Sequence, residues 1–70
     1  MQTLSHRFIA AVAQSPTPRY RLTARIGVAP SWLSLVMKPS RHFFSPTDRE
    51  RLRDLASILG VPVEQIFEEE

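Results

Sequence analysis

The fold is decided by residues 19–39, which read RYRLTARIGVAPSWLSLVMKP. Two short helical segments, 18–26 and 30–37, are separated at Gly27, because glycine adopts a left-handed backbone conformation at the least cost. Helices joined by so tight a turn pack at a steep angle, which requires apolar residues on both sides of the turn. The chain supplies these residues at Leu22, Ile26, Val28, Leu33 and Val36. The stretch therefore predicts a helix-turn-helix core over residues 18–38.

Before this core, the sequence predicts a first helix that begins after Thr3 or Ser5, both good N-cap residues, and ends near Gln14. Prolines 16 and 18 stop it, since proline lacks a backbone donor and restricts the residue before it. Thr17 is expected to cap the second helix. One face of the first helix is apolar at helical spacing, through Leu4, Phe8, Ala11 and Val12.

After the core, the loop of residues 40–44 carries Phe43 and Phe44, which we expect to pin the loop to the core; an interface patch is the alternative. A fourth helix begins either after Ser45, with proline in its first turn, or after Thr47, in a capping box with Glu50. It ends at the glycine of position 60, and a last short helix is predicted over 61–67. The sequence thus predicts an all-α, five-helix single domain over residues 1–70, with closing helices in 46–67.

The residue types present argue against several classes of protein. The chain has no cysteine, and His6 and His42 lie far apart without metal-ligand spacing. No catalytic pattern is visible, so we expect no enzymatic activity, no metal and no cofactor. The longest early apolar run, residues 8–13, is much shorter than the roughly 20 residues of a membrane span. We therefore expect a soluble, cytoplasmic protein that does not bind membranes.

The charge is divided unevenly along the chain. Residues 1–47 carry six Lys or Arg and no Asp or Glu, whereas residues 48–70 carry three Arg and seven acidic residues. The net charge is therefore +6 in the first part and −4 in the second, although the whole chain carries only +2. Such a division favours a surface that binds a polyanion, with scattered surface charge as the alternative.

These motifs resemble the lambda-repressor-like (Cro/C1, XRE-type) helix-turn-helix family. The matching positions in the turn are Leu22, Ile26, Gly27, Val28, Leu33, Ser34 and Val36. Residues 52–67, LRDLASILGVPVEQIF, are similar to the common family ending LAxxLGVxxxxLF. The resemblance covers about residues 4–67. It implies five helices, binding of double-stranded DNA with the third helix in the major groove, and usually a two-fold homodimer.

The resemblance also implies roles for individual residues. Base readout falls to the third helix, at Pro30, Ser31, Ser34 and Leu35, with Trp32 at the edge of the contact. Phosphate contacts are expected at Arg19, Arg21, Lys38, Arg41 and His42. Arg25, about one helical turn after Arg21, is a further candidate for DNA contact. For both arginines, a solvated surface role is the alternative. The expected dimer interface is Ile66 and Phe67, for which simple core packing is the alternative.

Some positions depart from the family pattern. Thr23 replaces the usual alanine, which predicts slightly wider packing of the two helices. Met37 and Val12 stand where many members place an acid and its arginine partner, so an apolar contact is expected there. Pro30 and Leu35 cannot make bidentate hydrogen bonds to bases, so we expect direct readout of the base sequence to be weak. DNA shape or a partner is then expected to add specificity.

Two functions follow from these observations. The first is a small sequence-specific transcriptional regulator, of the kind found in phages, mobile elements and antitoxins. The second is a protein-binding module that uses the face around Trp32 and Leu35 (an antirepressor, a polymerase-associated factor or an adaptor). Trp32 is expected either to pack in the core near the two phenylalanines of the loop or to be an exposed contact residue.

Overall fold

The computed structural model describes residues 2–69, which form four α-helices and one small sheet. The elements, in chain order, are β1 (Gln2–Leu4), α1 (His6–Gln14), α2 (Arg19–Arg25), α3 (Pro30–Val36), α4 (Pro46–Leu59), a 3-10 turn (Val63–Gln65) and β2 (Phe67–Glu69). The prediction of an all-α domain is confirmed in part: the described residues are mostly helical, but they also form a two-stranded sheet, and the count of five helices is not supported. No helix among residues 2–69 is both long enough and apolar enough to cross a membrane.

The core lies between the four helices and takes its side chains from the faces that the apolar spacing predicts. Phe8 of α1, Leu22 of α2 and Leu33 of α3 have no exposed surface. The buried apolar set is completed by Leu4, Val12, Val36, Phe44, Leu52, Leu55, Ala56, Val61 and Ile66. Val12 is buried in this core and Met37 packs against it, so both positions are apolar, as predicted.

Two serine caps fix where the helices begin. The Ser5 Oγ atom accepts a hydrogen bond from the Phe8 backbone N–H at 3.0 Å, and the Ser45 Oγ atom accepts one from Asp48 at 3.1 Å. The predicted N-caps are confirmed: Ser5 caps α1, and Ser45, followed by proline, caps α4. The alternatives are wrong: Thr3 lies in β1, and Thr47 lies inside α4. α2 begins after Pro18, so Thr17 does not cap it.

The predicted last helix, 61–67, is wrong. A single 3-10 turn is followed there by β2, which pairs antiparallel with β1 in the register Gln2↔Glu69, Thr3↔Glu68 and Leu4↔Phe67. The Ser5 backbone N–H continues the pairing by donating to the Ile66 carbonyl oxygen at 2.8 Å. Strand pairing satisfies backbone groups at both ends of the chain at once, which an isolated one-turn helix cannot do.

Candidate nucleic-acid interface

The turn between α2 and α3 has a fixed backbone geometry. Gly27 has φ +74°, and its N–H donates to the Ala24 carbonyl oxygen at 3.2 Å. The Val28 N–H donates to the Thr23 carbonyl oxygen at 3.0 Å. These two bonds form the Schellman arrangement that ends a helix at a left-handed residue. The turn thereby sets the direction in which α3 leaves α2.

We expect Gly27→Ala to lower the free energy of unfolding by about 1–2 kcal/mol, the cost of left-handed backbone for a residue with a Cβ atom. An added Cβ would meet no atom within 4 Å, so the backbone is the only source of the cost. Urea unfolding measures the change. Gly27→Asn is the matched control, because asparagine tolerates positive φ and should lose less stability. An alanine variant as stable as the wild type would contradict this account of the turn.

Thr23, on α2, is fully buried. Its hydroxyl donates within α2, lying 3.0 Å from the Arg19 carbonyl oxygen and 3.2 Å from that of Tyr20. A buried hydroxyl without a partner would destabilise the core, so these bonds explain how a threonine is accepted at this buried position.

α3 has one buried and one exposed side. Leu33 and Val36 point into the core, at 0% and 1% exposure. The opposite side, here called the outward face of α3, consists of Pro30, Ser31, Ser34 and Leu35, all of which are exposed. The sequence predicted this division, and the four residues assigned to base readout therefore lie together on one accessible surface.

Three of the five predicted phosphate contacts are exposed cations. Arg19 and Arg21 lie in the first turn of α2, and Lys38 follows the end of α3. Arg25, at the end of α2, is also exposed. The three arginines stand on α2, whereas Lys38 lies just beyond α3, which itself has no charged residue. Positive charge is thus available on the segments that precede and follow the outward face in the chain.

The other two predicted phosphate contacts are half-buried in the loop after α3. The Arg41 Nη2 atom donates to the Asp48 Oδ2 atom at 3.0 Å, and its Nε atom donates to the Phe43 carbonyl oxygen at 2.9 Å. The Nδ1 atom of His42 is buried and has no hydrogen-bond partner among residues 2–69. Arg41 therefore uses its donors within the domain, unlike the exposed cations.

Trp32 lies at the edge of the outward face and is half-buried. Its Nε1 atom donates to the Asp48 Oδ1 atom at 2.9 Å, and the Arg51 guanidinium carbon lies 5.4 Å from the centre of its ring. Trp32 also packs against the hydrophobic core, which includes Phe44, so the prediction of core packing is confirmed in part. Its polar partners are charged residues of α4, which the sequence did not predict. An exposed role is limited to the part of the ring that these contacts leave open.

Asp48 joins the elements around α3, a role that sequence reasoning missed. Its carboxylate accepts hydrogen bonds from Trp32 of α3, Arg41 of the loop and the Ser45 backbone N–H at the start of α4. We call these four residues the Asp48 network. Burial of the carboxyl group raises its pKa, but the bonds from Trp32 and Ser45 and the charge of Arg41 outweigh burial, so the pKa of Asp48 lies below its usual value.

The predicted dimer residues occupy different environments. Ile66 is 2% exposed and belongs to the core, which is the alternative that the sequence left open. Phe67, in β2, is half-buried: its ring centre lies 5.0 Å from that of Phe44, and the Arg49 guanidinium carbon lies 4.9 Å from it on another side. Of the two, only Phe67 has surface that another copy of the chain can reach.

Comparisons with family models, with curated proteins and with solved structures gave no match for this chain. Among residues 2–69, no three His, Cys, Asp or Glu side chains are grouped so as to hold a metal ion. The assignment of function therefore depends on the geometry of α2, α3 and the loop after them.

Proposed function

We propose that this protein binds double-stranded DNA as a transcriptional regulator, with α3 in the major groove. The observation that carries the proposal is the exposed outward face of α3, held on a fixed turn between segments that bear exposed cations and no acidic residue. The major groove of B-DNA is wide enough to admit an α-helix. Phosphate contacts by Arg19, Arg21 and Lys38 would supply affinity and fix the orientation of the domain.

The length of α3 limits what one copy can read. Seven helical residues span only ~10 Å, which is about three base-pair steps. A specific site of useful length thus requires two copies, and we include a homodimer on two half-sites in the proposal. Phe67 is the remaining candidate for its interface, since Ile66 is buried within one copy.

The chemistry of the outward face indicates what kind of specificity to expect. Ser31 and Ser34 donate or accept hydrogen bonds with little discrimination between bases. Leu35, which is 50% exposed, fits against the methyl group of thymine. We therefore expect modest base preferences, supplemented by the shape and deformability of the site.

Selection of the purified protein against a random duplex library, at about 0.15 M salt, tests the proposal. Enrichment of an inverted repeat with half-sites about one helical turn apart would support a dimeric sequence-specific regulator. Salt-sensitive binding without enrichment would reduce the proposal to a non-specific DNA-binding protein. Absence of any binding would contradict it.

We expect Arg19→Ala and Lys38→Ala to weaken binding to all duplex sequences alike, because phosphate contacts carry no sequence information. Each variant should also flatten the plot of log affinity against log salt, by about 0.9 for each phosphate that the variant no longer neutralises. The measurement is a salt titration of binding to a mixed duplex. Arg53→Ala, at an exposed position of α4, is the matched control and should leave the slope unchanged. Unchanged slopes in all three variants would exclude this docking.

A protein-binding module is the second candidate function. The observation in its favour is the apolar character of the outward face, where Pro30 and Leu35 offer surface but no hydrogen-bond donor for bases. Salt dependence separates the two candidates, because an apolar protein contact responds weakly to salt whereas phosphate neutralisation responds steeply.

A further inference from the structure

Phe43 is the most exposed of the large apolar side chains in residues 2–69, at 74%. The sequence predicted that both loop phenylalanines belong to the core, with an interface patch as the alternative. Phe44 does, at 3% exposure, but Phe43 points away from it. Because the ring of Phe43 contributes little buried apolar surface to the core, it is available for contact with a partner.

Phe43 is exposed although hydrogen bonds fix the backbone of the loop around it. The Phe43 carbonyl oxygen accepts a hydrogen bond from the Arg41 Nε atom at 2.9 Å, and the Arg41 backbone N–H donates to the Lys38 carbonyl oxygen at 3.0 Å. On the other side, Phe44 is anchored in the core and Ser45 caps α4. The backbone is therefore held on both sides of Phe43, and its ring is presented outward.

The surroundings of this ring favour a polyanion as its partner. The loop follows directly from α3, and residues 30–47 contain no acidic residue that would repel an anionic partner. Lys38 is the exposed cation of this stretch, whereas the Arg41 guanidinium is paired with Asp48. Leu35, on the outward face, is the other exposed large apolar residue of the stretch.

We infer that Phe43 is a direct apolar contact to duplex DNA, packing against the sugars and opening a base step beside the groove that α3 occupies. The inference rests on the proposed function. Side chains such as Phe, Leu and Ile that act as wedges between bases unstack one step and kink the duplex, and they require no charged partner. Because the contact releases no counterion, it should add affinity without changing the salt slope.

The test is the binding of Phe43→Ala to a mixed duplex of about 20 base pairs, roughly two helical turns, across a range of salt. Stacking of the ring on a base adds affinity, and the cost of unstacking the step offsets part of that gain, so we expect roughly a tenfold weaker affinity at every salt concentration and an unchanged slope. With 2-aminopurine in the duplex, the wild type should raise the fluorescence by unstacking the base, and the alanine variant should not. Phe43→Tyr keeps the ring and should restore both signals.

Val63→Ala is the matched control, because Val63 is also half-exposed but lies in the 3-10 turn after α4. Circular dichroism and the Tm should be unchanged in both alanine variants, since neither side chain is in the core. If the wild type binds DNA and Phe43→Ala binds equally well, this inference alone is overturned. If the wild type does not bind duplex DNA at all, the proposed function falls and the inference falls with it.

Discussion

Leu33→Ala should unfold a large fraction of the protein, whereas Leu35→Ala, two positions away, should leave it folded and change only what it binds. Leu33 is fully buried and Leu35 is 50% exposed, although both lie on α3 and have the same side chain. Removing a buried leucine side chain costs about 2–5 kcal/mol, from reduced burial and from the cavity left behind. A domain of this size has only about 3–10 kcal/mol in total.

The measurements for this pair are urea unfolding and duplex binding of each variant. We expect a large fall in the unfolding midpoint for Leu33→Ala and a change within about 0.5 kcal/mol for Leu35→Ala. Leu35→Ala should lose preference at positions where the selected site has thymine, with its salt slope unchanged. If Leu35→Ala instead destabilises the fold as much as Leu33→Ala, the assignment of the outward face is wrong.

The sequence predicted the first four helices well because their limits are set by local chemistry. Ser5 and Ser45 act through residues three positions later, and Gly27 acts through φ and two nearby backbone bonds. The outward face of α3 follows from the same local logic, since helical spacing decides which side chains turn inward. Four of the five predicted readout positions are accordingly exposed together.

The sheet could not be predicted in this way because its pairing is not local. β1 and β2 are three residues each and join opposite ends of the chain, so neither shows the alternation that marks a longer strand. The apolar residues of 61–67 fit the spacing of a helix equally well. Only the presence of the partner strand decides between the two structures.

The packing of the loop after α3 could be predicted only in part, for a related reason. Two adjacent phenylalanines have no periodic context, and only tertiary packing determines that Phe44 turns inward and Phe43 outward. The bond between Arg41 and Asp48 was not predicted because the carboxylate stands seven positions later and beyond a helix start. The carboxylate did carry one signal: it is the third residue of α4 after a serine cap, which is the pattern of a capping box.

Asp48→Asn should lower the free energy of unfolding by about 2–3 kcal/mol at neutral pH, because hydrogen bonds to a charged acceptor are strong and a buried donor left unpaired is costly. In the wild type, one carboxylate oxygen accepts from Trp32 and the other accepts from Arg41 and the Ser45 N–H. An amide has only one oxygen. Its NH₂ group must therefore face donors, whichever way it is turned.

The pH dependence gives this prediction its sign. The folded pKa of Asp48 lies below the unfolded value, so the stabilisation is complete above the unfolded value of about 3.9 and is lost as the pH falls through the folded pKa. The difference in stability between the wild type and Asp48→Asn should thus be constant near neutrality and shrink in acid. Urea unfolding at a series of pH values, followed by the fluorescence of Trp32, measures it. Asp54→Asn, at an exposed position of the same helix, should show almost no difference at any pH. A difference for Asp48→Asn that persists undiminished in strong acid would mean that the carboxylate charge does not hold α3, the loop and α4 together.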